Sequence, residues 1–238
     1  MQQYDRRQAT DEFVVWSRSY DQSILQTLLF GPSHRALIKR VRAVGADRPL
    51  RVLDIGCGTG VFATRLREAF PDFEIYGIDL VADMIKVGQS RWRMHSEHLL
   101  PVQADSERLP FGPDSFDVVT CANSFHHYPR QHRAVAEMRR VLKPGGRLMI
   151  VDGYRDHPWG WLIYDVCVAA VEGAVHHASR KRFRELTSSA GFDSVTQWVH
   201  WGLAPFLLTE ATVAAETTAR VPVPHFRVAE VETQRHGH

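Results

Sequence analysis

The sequence predicts an α/β protein built on a mostly parallel sheet with helices on both faces. Three observations predict it. Short apolar runs alternate with helix-patterned segments from Arg51 to Asp152; the first run ends in a glycine-rich turn, Asp54-Ile55-Gly56-Cys57-Gly58-Thr59-Gly60; and the second ends on a carboxylate, Asp79. Strands that alternate with helices pair in parallel through right-handed crossovers, which leaves helices on both faces. At 238 residues, 44% of them hydrophobic, the chain is long enough for one such domain with a full core.

From Asp21 to Val44 apolar residues recur at helical spacing (Ile24, Leu25, Leu28, Leu29, then Leu37, Ile38, Val41), and Gly31-Pro32 is expected to divide the stretch into two helices. Arg51 to Ile55 reads as a buried strand running into the glycine turn, and Val61 to Phe70 as the helix that leaves it. The alternation continues with strand 73–79, helix 82–91, strand 99–103, strand 115–121, helix 131–142 and strand 147–152. Pro71-Asp72 and Lys143-Pro144-Gly145-Gly146 punctuate helix ends, because proline and glycine stop a helix and start a turn. Trp161 to Val175 reads as a buried or lid helix, and Arg180 to Ala190 as the last helix. Strands 194–200 and 203–209, with only Trp201-Gly202 between them, are expected to form an antiparallel hairpin. Beyond about Ala211 the periodicity fades.

The 29 basic and 27 acidic residues are interspersed, so no broad basic field argues for nucleic acid or an anionic membrane. A small, near-neutral substrate fits better. Cys57, Cys121 and Cys167 are odd in number and lack CxxC spacing, which suggests a reducing compartment with neither disulfide nor zinc site. The charged start of the chain lacks the apolar stretch of an export signal, and no apolar run reaches the about 20 residues of a membrane span, so a cytoplasmic location is expected.

Gly56, Gly58 and Gly60 let the backbone turn sharply and approach a ligand at the carboxyl end of the first strand, where ligand crevices of open sheets lie. A dinucleotide fingerprint would read GxGxxG, but here the third glycine comes one residue early; a P-loop fails because no GK[ST] follows. A carboxylate at Asp54 would repel a pyrophosphate and suit a ligand that carries an ammonium and a sulfonium. S-adenosylmethionine carries both. Asp79 follows Gly60 by 19 residues, where a carboxylate can accept hydrogen bonds from both ribose hydroxyls. Taken singly, the glycines could form a simple tight turn and Asp79 a helix N-cap.

The segments VLDIGCGTG (52–60), GIDLVADMI (77–85), ADSERLPFGPDSFDVV (104–119) and RRVLKPGGRLMI (139–150) carry a family resemblance. With them the chain resembles the class I S-adenosylmethionine-dependent methyltransferases, in the group similar to the ubiquinone/menaquinone-biosynthesis C-methyltransferases. The resemblance implies a Rossmann-like seven-stranded sheet of order 3-2-1-4-5-7-6 with strand 7 antiparallel. It implies one domain over residues 1–212, with 1–46 a helical cap, 153–179 an acceptor-side insertion and 213–238 a tail expected to be partly disordered. S-adenosylmethionine would rest on Asp54, Gly56, Cys57, Gly58 and Gly60, with Asp79 on the ribose and Leu80 and Met84 on the adenine. Asp105 and Ser106 would lie at the adenine edge and Asn123 at the methionyl end. Tyr20, next to Asp21, would either close over the cofactor or serve as ordinary core.

Methyl transfer is an in-line displacement with a good neutral leaving group, so alignment and desolvation supply much of the catalysis. A base still helps where the acceptor must lose a proton, and histidine suits the task. His126 and His127 follow the fourth strand at the crevice and are the candidate catalytic residues; they could instead merely line the pocket. His176 and His177 are as well explained as solvated helix-end residues. No metal site is expected, because adjacent histidines lack HxxxH spacing and no convergent acidic motif accompanies them.

Tyr154, Trp159, Trp161 and Tyr164 in the insertion suit an apolar pocket for an aromatic or hydrophobic small-molecule acceptor, methylated on oxygen or carbon; a helix that only seals the sheet edge is the alternative. A cofactor-binding regulatory protein without transfer activity, or a protein or nucleic-acid methyltransferase, also stays open. Against the amino-methylating DNA enzymes, Cys121-Ala122-Asn123-Ser124 stands where NPPY or DPPY would be. Monomer and homodimer are both compatible with the sequence.

Overall fold

A computed structural model describes residues 24–45, 48–94, 98–172 and 175–215. Tyr20 and Asp21, most of the cap and the tail beyond 215 lie outside the described residues.

In chain order the elements are α1 (Ile24–Val44), β1 (Arg51–Ile55), α2 (Val61–Ala69), β2 (Glu74–Asp79), α3 (Ala82–Val87), α4 (Gln89–Met94), β3 (Leu99–Gln103), β4 (Phe116–Ala122) and α5 (Gln131–Val141). There follow β5 (Leu142–Gly153), α6 (Pro158–Trp161), a π-helical segment (Leu162–Val168), α7 (Ala169–Glu172), α8 (Arg180–Ser189), β6 (Ser194–His200) and β7 (Phe206–Thr212). The seven strands form one sheet of order β3-β2-β1-β4-β5-β7-β6. Strands β1 to β5 pair in parallel, and β7 runs antiparallel to both β5 and β6. The order expected from the resemblance is the order observed.

The central strands are buried on both faces, which is why β1 and β4 read as nearly unbroken apolar runs rather than alternating ones. On one face Leu37 and Val41 of α1 and Phe62 and Leu66 of α2 pack against Val52, Val118, Met149 and Val151. On the other, Val135 and Met138 of α5 and Phe183 and Leu186 of α8 cover Leu53, Val119, Leu148 and Ile150. The side chain of Glu210 on β7, 5% exposed, clamps α1 to the sheet by receiving Arg40 at 2.6 Å and Arg147 at 2.5 Å.

Four local expectations differ from the structure, each for a physical reason. Pro32 does not split α1, which runs through it. Proline removes an N–H from the ladder, but the Ser33 hydroxyl donates to Phe30 O at 2.9 Å and occupies a carbonyl in the disturbed turn. The helix expected over 82–91 is broken at Gly88, where a Cβ would stand 2.2 Å from Thr59 O; the chain there rides directly on the glycine turn. Strand β5 begins at Leu142 rather than 147, because its pairing with β4 jumps from Phe116↔Leu142 to Val118↔Arg147 and the Lys143–Gly146 excursion is bulged out, with Gly145 at φ 75°. The hairpin loop is longer than two residues because β7 starts only after Pro205, which has no N–H to give the ladder.

The segment expected as a buried or lid helix is helical but carries a π stretch, and Trp159, Trp161, Leu162 and Val166 remain 40–50% exposed. Its inward contact is Tyr164, whose ring lies against Gly153, where a Cβ would meet it at 2.6 Å. No helix among the described residues is long and apolar enough to cross a membrane.

Candidate functional site

At the carboxyl end of β1 the chain turns so tightly that the N–H groups of Gly56 and Cys57 both donate to Ile78 O at 2.9 Å. Gly56, Gly58 and Gly60 have φ of 70°, 55° and 82°, the left-handed region that only glycine enters freely. Gly56 is pressed against the loop after β4. Gly58 differs: a Cβ there would meet nothing within 4 Å, so its backbone faces open space a ligand can fill.

Asp79 links this turn to β2. Its Oδ2 accepts the Gly58 N–H and its Oδ1 the Val81 N–H, both at 2.8 Å. Burial nonetheless raises its pKa above the ordinary carboxylate value, with the backbone hydrogen bonds opposing the rise. A carboxylate has about four acceptor sites, so the local anchoring and a ribose diol are compatible. The helix that follows has Val81 at its N-cap and no side-chain cap hydrogen bond, so Asp79 is not that cap.

Asp54 lies beneath the turn rather than at its mouth. It is 1% exposed, accepts the Thr120 hydroxyl at 2.9 Å, and its pKa is pushed up to about 7, first by burial and further by the neighbouring charge of Asp79, against the Thr120 hydrogen bond. Cys57 is buried beside it, its thiol pushed well above the usual value by burial and by both carboxylates. Leu80 is 47% exposed at the end of β2, whereas Met84 is buried behind it. Asp105 caps its own loop, with Oδ1 accepting Glu107 N–H at 2.9 Å, and the same loop is tied to β2 by Ala104 N–H donating to Asp79 O at 3.0 Å. Ser106 is half-buried in that loop.

Asn123 takes a left-handed φ of 55° as the chain leaves β4. Its Nδ2 donates to Ser33 Oγ at 3.0 Å, joining the crevice to α1 through a residue the sequence reading did not single out. Next to it, Ser124 Oγ donates to Ile55 O at 3.2 Å, so the loops after β1 and β4 are hydrogen-bonded together. The residues expected to hold the cofactor thus converge on one edge of the sheet, Tyr20 lying outside the described residues. An open glycine backbone, two carboxylates beside it and an exposed leucine at the same edge fit S-adenosylmethionine.

Trp92 of α4 is a second residue that pattern reading missed. Its indole fills the notch left by Gly60, Gly77 and Gly88, where added Cβ atoms would stand 2.5, 2.8 and 2.8 Å from it. The signal was three glycines in separate elements. Nothing local in the sequence ties them to one ring.

His126 sits in the short 3₁₀ turn Phe125–His127 that follows β4. Its Nδ1 donates to Asp152 Oδ1 at 2.7 Å, and the Gly153 N–H donates to the same oxygen at 2.8 Å. Burial alone would raise Asp152; the charge and hydrogen bond of His126, with His177 close by, hold it well below the carboxylate range. His127, with its ring 4.1 Å from that of His126, is driven well below the ordinary histidine value by burial and by the charge of His126. The two candidates are therefore not equivalent: His126 has an ionised carboxylate behind it, and His127 is held neutral.

His177 is buried, not solvated, and its ring lies 4.3 Å from that of His126 and 5.0 Å from that of Tyr164. His176 is exposed. Sequence spacing could not pair His126 with residues 26 and 51 positions away; the one available signal was a carboxylate, Asp152, at the carboxyl end of a central strand. Over this corner, the Tyr154 and His157 rings pack edge-on against Trp201, and Trp159 Nε1 donates to Leu203 O at 3.1 Å.

Comparison with known proteins agrees with this geometry. Residues 52–146 match the family model described as a methyltransferase domain. A ubiquinone/menaquinone biosynthesis C-methyltransferase of Ralstonia nicotianae is 32% identical over 218 residues, covering 82% of this chain and 89% of that protein. A demethylmenaquinone methyltransferase of Deinococcus radiodurans is 37% identical over 130 residues, covering 49% of this chain and 54% of that protein, so the match spans about half of that relative's length. Among solved structures, an S-adenosylmethionine-dependent methyltransferase of Thermotoga maritima superposes with a TM-score of 0.66 at 20% identity, over 85% of this chain and 98% of that one. Another, from Aquifex aeolicus, gives 0.64 at 18%, over 84% and 98%. The structural matches speak for the fold, and the Ralstonia match carries further: the chain belongs to the class I S-adenosylmethionine-dependent methyltransferases related to the ubiquinone/menaquinone biosynthesis C-methyltransferases.

Proposed function

We propose that this methyltransferase acts on a small, flat, largely apolar acceptor bearing a ring hydroxyl, of the quinol class, and methylates a ring carbon with His126 as general base. The observation that carries the reading is the His126–Asp152 pair, set at the carboxyl ends of adjacent strands beside the cofactor turn. Bound S-adenosylmethionine supplies an electrophilic methyl group on a neutral leaving thioether. Asp152 fixes the proton of His126 on Nδ1 and leaves Nε2 to take the acceptor's proton. Deprotonating a ring hydroxyl would push electron density to the adjacent ring carbon, which would take the methyl group as its bond to sulfur breaks and then lose its own proton to restore the aromatic ring. The aromatic insertion supports an apolar ring as acceptor, and the names of the Ralstonia and Deinococcus relatives support a quinone precursor. The direct test is to incubate the protein with demethylated quinols and simple phenols and locate the methyl group by mass spectrometry. Ring-carbon products support the reading; exclusive oxygen methylation, or no product, overturns it.

In the same reading Asp79 receives the ribose hydroxyls, Leu80 and Met84 flank the adenine, Asp105 and Ser106 border it, and Asn123 orients the methionyl end. Asp79→Ala is expected to weaken cofactor binding by about 1–3 kcal/mol, the worth of a charge-assisted hydrogen-bond pair. Isothermal titration with S-adenosylhomocysteine measures it, and unchanged affinity removes Asp79 from the role.

Asp54, beneath the turn, provides negative charge for the ammonium group, and its titration gives that role a pH signature. With its pKa near about 7 in the folded protein, the carboxyl is neutral below that pH and charged above it. Cofactor affinity should therefore rise between pH 6 and pH 7.5, roughly following Asp54 ionisation, and Asp54→Asn should flatten the rise. Stability of the protein alone runs the other way. The unfolded carboxyl titrates near 3.8, so folding takes up a proton between that value and about 7. Across this window stability falls as pH rises, and below it the group has no effect.

A further inference from the structure

Among the described residues, three buried polar atoms near Asp152 have no hydrogen-bond partner: Asp152 Oδ2 and both ring nitrogens of His177. The side chains are 1% and 2% exposed. The hydrogen bond from His126 explains only the other oxygen of Asp152, and His177 Nδ1 lies 3.4 Å from that oxygen without making a hydrogen bond to it. Buried polar groups are almost always satisfied, so an orphaned imidazole facing a half-used carboxylate calls for a ligand.

The chemistry of the three side chains says which. One donor atom each from His126, Asp152 and His177 lie within 4.8 Å of one another. Two imidazoles and a carboxylate form a donor set that zinc and similar first-row divalent ions take up, with a position left open for water or another oxygen. Bonds of about 2.0–2.2 Å place the ligands of a tetrahedral ion roughly 3.3 Å apart, and the 2.7 and 3.4 Å separations from Asp152 Oδ1 to the two Nδ1 atoms bracket that spacing. The donors come from three separate places: the turn after β4, the end of β5 and the segment before α8. The Gly153 N–H already orients the carboxylate, as groups behind a metal ligand commonly do. With both imidazoles neutral the cluster carries one negative charge, which suits a divalent cation.

We infer that His126, Asp152 and His177 form a binding site for a zinc-class divalent ion, and that its occupation silences the methyl transfer. An ion on Nδ1 of His126 takes the place of the proton shared with Asp152, and the one ring proton of neutral imidazole then sits on Nε2. The nitrogen that would accept the acceptor's proton becomes a donor. The silencing rests on the proposed base role of His126; the ion binding does not.

The experiment titrates the full chain, freed of metal by chelator, with cobalt(II), following the visible absorption that low-coordinate cobalt gives with imidazole ligands, and then displaces it with zinc(II). One saturable equivalent is expected. His177→Ala and Asp152→Asn should each weaken zinc binding at least tenfold, with S-adenosylhomocysteine titration confirming that each variant is folded. No saturable cobalt or zinc equivalent, or binding undiminished in both variants, overturns the site. One equivalent of bound zinc should abolish turnover of the wild-type protein, and chelator should restore it. Full turnover with zinc bound overturns the silencing. His126→Ala kinetics in metal-free buffer test the base role separately, so the two failures are distinguishable.

Discussion

Replacing His126 by alanine is expected to lower turnover by about 10²–10⁴-fold, the usual worth of a positioned general base, while S-adenosylhomocysteine affinity stays within about threefold. The separation follows from geometry. His126 is hydrogen-bonded to β5 on the acceptor side, and the cofactor turn is held by other groups, namely Ile78 O, Asp79 and the Ser124 hydroxyl. Alanine also leaves Asp152 as a buried charge without its main partner, which costs stability and would confuse a simple activity loss. His126→Asn removes the basic Nε2 yet keeps an amide N–H near the position of Nδ1, so it should recover much of the stability and none of the turnover. His127→Ala should be far milder, since burial and the charge of His126 drive that ring well below the ordinary histidine value. Steady-state release of S-adenosylhomocysteine, read beside thermal denaturation, checks all three. A fully active, stable His126→Asn variant would remove the residue from the chemistry.

Gly56→Ala is expected to destabilise the fold by roughly 2–5 kcal/mol, combining left-handed backbone strain with overpacking. The new Cβ would stand 2.2 Å from Ser124 Oγ, 2.6 Å from Ser124 Cβ and 2.8 Å from the Tyr128 hydroxyl at a φ of 70°. The loops after β1 and β4 would have to separate, and the crevice lies between them. Gly58→Ala makes the informative contrast: its φ of 55° carries strain, but the added methyl meets nothing within 4 Å. It should cost only about 1 kcal/mol of stability, yet depress cofactor affinity by an order of magnitude or more, since the methyl enters the space the ligand needs. Denaturant midpoints and calorimetric titration of the two variants separate the structural glycine from the binding one. Equal affinity in Gly58→Ala and wild type would place the cofactor elsewhere.

Much of this architecture was legible because it is local. Each strand of the parallel sheet announces itself as an apolar run between turn residues, and the glycine turn and Asp79 lie in one βαβ unit. The antiparallel pairing of β6 with β7 followed from the short connection between them, whereas the strand order came through resemblance. Where local rules misled, a contact from elsewhere had overruled them. Pro32 signals a helix end, but Ser33 and the burial of Leu37 and Val41 against the sheet carry α1 through it. Gly88 breaks a well-patterned helix because Thr59 lies directly beneath it. The corner around His126 was the least legible part. His126 could be named from its place after the fourth strand, but its partner comes from the next strand and His177 from the far end of the insertion. Only the assembled sheet brings the three together.

Trp92 has a consequence for how this chain can vary. One ring serves as the packing surface for Gly60, Gly77 and Gly88, so these positions are not three independent constraints but one, spread over a turn, a strand and a helix break. At Gly60 and Gly77 the indole is the first group an added side chain meets, and at Gly88 it stands just behind the Thr59 carbonyl. Gly77, whose backbone is not left-handed, becomes permissive only in company with a smaller residue at 92. The shape of the cofactor turn is thus inherited from a residue that lies outside it, and indole fluorescence offers a way to watch that turn from behind.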